Sequence, residues 1–92
     1  MNKEELRIKM LECGVPEHDH EGILQYVVDK VETGGFLMAV FENDLMEAFG
    51  RADAENSLAL SNITTFVYNY APAPCWGSKE RVKAWLAKPE VK

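Results

Sequence analysis

The chain has 92 residues, 47% of them hydrophobic and 27% charged, with a net charge of −5. This length and balance fit one soluble globular domain and argue against intrinsic disorder. The acidic charge argues against nonspecific DNA binding, which needs a cationic surface. No apolar run approaches the length that spans a bilayer, and the N-terminal sequence MNKEELRIKML carries no signal-peptide core. These features predict a cytoplasmic protein with no membrane partner. Two cysteines, Cys13 and Cys75, fit reduced thiols better than a disulfide framework, without excluding a bond.

The elements read as an all-α single domain, a compact bundle of about five helices. The first helix is expected over residues 3–13, capped by Asn2 with Glu5 completing a capping box. Leu6, Met10 and Cys13 share its apolar face, and Gly14 stops it. The second is expected over 17–33, with Pro16 at its start and Glu17, Asp19 and Glu21 favoured by the helix dipole. Ile23, Leu24, Val27, Val28 and Val31 make its apolar stripe, and Gly34 and Gly35 end it.

The third helix is expected over 36–51. Leu37, Val40, Phe41, Leu45, Ala48 and Phe49 follow helical spacing, and Phe36, Met38 and Met46 widen the stripe. A helix so nearly surrounded belongs either at the centre of the core or in a self-association surface, so a homo-oligomer is an open expectation. The fourth is expected over 54–70, capped by Asp53, with Ala59, Leu60, Ile63, Phe66, Val67 and Tyr70 on one face. The fifth is expected over 79–87, capped by Ser78, stopped by Pro89, with Val82, Trp85 and Leu86 inward. The β-branched stretches ILQYVV and ITTFVYNY also suit strands. Their apolar faces extend past strand length between caps, which favours helices.

Charge is unevenly spread. Residues 12–55 hold eleven acids against two bases, Lys30 and Arg51, while the segment from Lys79 onward holds five bases and two acids. The acidic body is either a solvated surface or a face for a basic partner.

Cys75, in APAPCWGSKERV, first looks like a nucleophile. A catalytic cysteine needs a lowered pKa and a base within reach, and nothing in the sequence brings His18 or His20 to it. A joint needs less. Pro72 and Pro74 set an extended connector, Cys75 and Trp76 tuck inward, Gly77 permits a turn and Ser78 caps the last helix. His18-Asp19-His20 has the wrong spacing for two metal ligands on a helix, so surface histidines are expected and no metal or cofactor. Glu42, Asn43, Asp44 and Glu47 read as a polar helix face open to a partner. Arg51, a lone cation in this region, either clamps an anion or pairs with Glu47 at i,i+4.

Two blocks together, GGFLMAVFENDLMEAFGRADAEN (34–56) and YNYAPAPCWGS (68–78), preceded by VPEHDHEGILQYV (15–27), resemble a group of small uncharacterised proteins of tailed bacteriophages and prophages. The resemblance covers roughly residues 15–87. Thr33-Gly34-Gly35 departs from that group, which often has Pro-Gly before the Phe-Leu pair. The resemblance implies a small accessory product made in a host bacterial cytoplasm, and it brings no catalytic residue with it.

A phage setting and an acidic domain without a catalytic constellation imply action by binding rather than catalysis. The first expectation is a counter-defence inhibitor of the anti-CRISPR type. It would use Glu42, Asn43, Asp44, Glu47 and Arg51 to occupy a basic surface on a host immune protein complex. The alternatives are an oligomeric sponge that holds a nucleotide immune signal on Arg51 and Asn43, and a structural or regulatory phage protein.

Overall fold

The computed structural model describes residues 2–87. The described residues form seven α-helices and two short 3-10 turns, and no strand. The all-α expectation holds, but the count of about five is corrected. The helices are α1 Lys3–Cys13, α2 His20–Asp29, α3 Gly35–Phe41, α4 Leu45–Arg51, α5 Ala54–Leu58, α6 Leu60–Tyr70 and α7 Lys79–Ala87, with 3-10 turns at Glu17–Asp19 and Ala73–Cys75.

The first and last helices form as local chemistry dictates. The Asn2 side chain accepts from the Glu5 amide at 2.8 Å, and Glu5 returns the bond to the Asn2 amide at 3.0 Å. Gly14 closes α1 at φ 84°, a left-handed conformation that glycine adopts without a Cβ penalty. The α7 bounds also match expectation, and Ser78 Oγ accepts from the Arg81 amide at 3.1 Å. The expected stop at Pro89 lies outside the described residues.

The middle differs. The expected 17–33 helix begins as a 3-10 turn, with Pro16 ahead of it in an extended conformation (φ −56°, ψ 140°). It ends early at Asp29, where Lys30 takes φ 59° and its amide donates to the Tyr26 carbonyl at 3.2 Å, while the Val31 amide donates to the Gln25 carbonyl at 3.0 Å. Gly34 and Gly35 therefore do not end α2; Gly34 precedes α3 and Gly35 is its first residue. The expected 36–51 helix breaks at Asn43, which takes φ 62°. Asp44 then starts α4 anew by accepting from the Glu47 amide at 3.3 Å. The 54–70 helix keeps its Asp53 cap, with Oδ1 accepting from the Asn56 amide at 2.7 Å, but breaks at Ala59.

The core joins all these pieces. Leu6 and Met10 of α1, Ile23, Leu24 and Tyr26 of α2, Phe41 of α3 and Ile63 and Phe66 of α6 are buried together. Truncating one such aromatic to alanine costs about 3–5 kcal/mol. Val82 of α7 is buried, and Trp85 and Leu86 pack against the same cluster. Val31 departs from its expected stripe and is exposed.

The third expected helix is not surrounded. Its first half, α3, buries Leu37, Ala39 and Phe41, whereas α4 buries only Ala48. Leu45, Met46 and Phe49 stand 64%, 81% and 59% exposed. No helix among the described residues is long and apolar enough to cross a membrane.

Candidate functional site

The stretch around Cys75 is a joint. The Cys75 side chain is fully buried and both cysteines are free thiols. Burial pushes the Cys75 thiol up to about 12, the opposite of what a nucleophile needs. The backbone here is tied to two helices: Tyr26 donates its hydroxyl to the Cys75 carbonyl at 2.7 Å, and the Gly77 amide donates to the Phe41 carbonyl at 2.8 Å. Gly77 turns at φ 124°, and Arg81 folds back to donate to the carbonyls of Ala73 and Trp76.

The two histidines separate. His20 is buried and its Nε2 lies 3.0 Å from the Val15 carbonyl, to which it donates. This corrects the expectation of two surface histidines. His18 is half-exposed and sits among three carboxylates: Glu55 at 3.3 Å, Asp19 at 3.6 Å and Asp53 at 3.7 Å. Asp19 itself is buried, and burial raises its pKa above the ordinary aspartate value, with the His18 charge opposing. Among the described residues no group of three His, Cys, Asp or Glu side chains is arranged to hold a metal ion.

The polar residues singled out on the third expected helix fall on two sides of α4. A hollow of about 430 Å³ gathers Glu42, Asp44, Glu47 and Arg51, together with Glu32 and Lys79. Among the described residues, four carboxylates face two cations there. Arg51 is engaged by Glu47 through an i,i+4 ion pair, both partners at least half exposed, so its stability contribution is a few tenths of a kcal/mol. Gly35 makes room for this pair: a Cβ at that position would lie 2.7 Å from Arg51 Nη1. Arg51 therefore lies across the first turn of α3.

Asn43 lies on the other side. It lines a second depression of about 330 Å³ between α3, α4 and α6, with Val40, Leu45, Leu60, Val67, Tyr68 and Trp76 as its apolar walls. Asp44 and Ala39 line both depressions, so the α3–α4 turn is the ridge between them. Leu45 and Tyr68, 64% and 71% exposed, stand at the mouth of this groove. Trp76 leans on Tyr68, ring centroids 5.8 Å apart.

Sequence reasoning found the acids of the hollow through their spacing on one helix but missed Glu32 and Lys79, which come from distant segments. It missed the groove as well, although the excess of apolar residues at 36–51 was its signal. No protein-family model, curated protein sequence or solved structure matches this chain.

Proposed function

We propose that this protein acts by binding, as a phage-encoded inhibitor of the anti-CRISPR type that targets a bacterial defence complex, made and acting in the host cytoplasm. It covers a basic site on that complex with its acidic face. The observation that carries this reading is the convergence of Glu32, Glu42, Asp44 and Glu47 on one open hollow, against Arg51 and Lys79 among the described residues. Such a face attracts a lysine- or arginine-rich surface of the kind that holds nucleic acid, and it does so in a salt-dependent way. The buried, high-pKa thiol of Cys75 and the internal bond of His20 leave neither group placed for nucleophilic or acid–base work.

A nucleotide sponge has less support. A phosphate ligand needs several convergent cations, whereas Arg51 is engaged by Glu47 and shares its hollow with three further carboxylates.

The test is capture from a lysate of defence-competent bacteria, using tagged wild type and a Glu42→Lys/Glu47→Lys variant, with native mass spectrometry of the eluates. A stoichiometric defence complex retained by the wild type and lost by the variant is the expected result. Equal recovery by both proteins contradicts the acidic-face reading. A homo-oligomer carrying a small extra mass would favour the sponge instead.

A further inference from the structure

We propose that the apolar groove beside the acidic hollow receives an exposed amphipathic helix of the partner protein. That helix would carry an apolar stripe flanked by lysine or arginine, with the stripe in the groove and a basic residue across the α3–α4 turn in the hollow. This deepens the binding reading above and rests on it.

The two depressions share Ala39 and Asp44 as walls, so one ligand segment reaches both. Their chemistries differ sharply. Among the described residues, Asp44 is the one charged residue lining the groove, while the hollow carries four carboxylates against two cations. An apolar depression adjoining an acidic one is complementary to an element with apolar and basic residues about one turn apart, and a helix presents such residues at i, i+3 and i+4. The groove lies between helices, and the exposed Met46 and Phe49 extend the apolar surface of α4 beyond Leu45. Exposed large apolar side chains clustered in this way mark interaction surfaces.

Among the described residues, no helix of a second copy supplies this element. The basic helix α7 turns Val82, Trp85 and Leu86 toward its own core and so presents no apolar stripe beside its bases. Helix α1 exposes Ile8 and Leu11, but Lys3, Arg7 and Lys9 are balanced there by Glu4, Glu5 and Glu12. Two copies would also bring like charge to like charge, at a net −5 each.

The test uses three labelled synthetic helical peptides of about five turns each. One has a Leu/Phe stripe flanked by Lys and Arg. A second keeps the stripe but has Glu flanks. A third keeps the Lys and Arg but has Gln in place of the stripe. Fluorescence anisotropy reads their binding to the full chain, to Leu45→Gln/Tyr68→Ser and to Glu42→Lys/Glu47→Lys, and light scattering reads each protein's mass. Leu45 and Tyr68 are exposed, so the first variant leaves the core intact.

The expected result is that only the apolar-basic peptide binds well, and that each double variant weakens it by about tenfold or more. If the apolar-basic and Gln-basic peptides bind alike, and the groove variant binds as wild type does, the groove inference fails while the acidic-face reading stands. Equal binding of the Glu-flanked peptide defeats both, as does no binding of any peptide. A wild-type dimer that Leu45→Gln/Tyr68→Ser dissolves overturns the inference by making a second copy the occupant.

Discussion

The Tyr26 hydroxyl donates to the Cys75 carbonyl oxygen at 2.7 Å, bridging residues 49 apart in sequence inside the core. The same tyrosine stacks on Phe41, with ring centroids 4.2 Å apart, and accepts at its own carbonyl from Trp85 Nε1 at 2.9 Å. One residue of α2 thus fixes α3, the Cys75 joint and α7. Removing the hydroxyl leaves a buried carbonyl without its donor. Tyr26→Phe is expected to lower stability by about 1–3 kcal/mol. Urea denaturation should show this as a lower midpoint with an unchanged m-value.

Burial makes the Cys75 thiol unreactive and pushes its pKa up to about 12. Cys13 is only partly buried. Iodoacetamide at pH 8 should therefore give one adduct on the native protein, at Cys13, and two in denaturing urea, as read by intact mass. Rapid modification of Cys75 in the native state would contradict its role as a buried joint residue.

Asn43 holds φ 62° at the α3–α4 turn that separates the hollow from the groove. Asparagine tolerates this region and a β-branched residue does not. Asn43→Val is expected to destabilise the fold by about 1–2 kcal/mol, whereas Asn43→Gly should leave it within about 1 kcal/mol of wild type. Parallel thermal melts of the two variants check this. Equal losses would show that the side chain, not the backbone conformation, holds the turn.

Asp19 supplies a pH dependence. Its folded pKa lies above the ordinary value of 3.8 because burial penalises the carboxylate, with the His18 charge and the nearby Asn56 side chain opposing. A raised folded pKa means that its contribution is fully present below the ordinary value and is lost as pH rises through the folded value. Asp19→Asn should therefore gain stability relative to wild type as pH rises from 4 to 7, as measured by urea midpoints across that range. A difference that stays constant with pH would contradict burial as the dominant cause.

What the sequence revealed was local. Asn2, Gly14, Asp53 and Ser78 act within a few residues of themselves, and their caps and stops could be read directly. The helix breaks were harder to read, because apolar spacing continues across them. Asn43 and Asp44, followed by Glu47, carry a turn-and-cap signal, but the same residues equally suit an exposed helix face. Burial of Asp19 and His20 depends on how the Glu17–Asp19 turn packs, which no local pattern states. The hollow was half legible: the spacing of Glu42, Glu47 and Arg51 showed an acidic face, but Glu32 and Lys79 join it only through tertiary contact.

The most direct test of the central claim is displacement. Labelled target DNA is bound to purified CRISPR effector complexes of several types, and the chain is titrated in at low and at high salt. For one of these complexes, the acidic-face proposal predicts loss of bound DNA with wild-type protein, weakened by salt and by Glu42→Lys/Glu47→Lys. DNA that stays fully bound to every complex at saturating protein, or displacement that the charge reversal leaves unchanged, would contradict it.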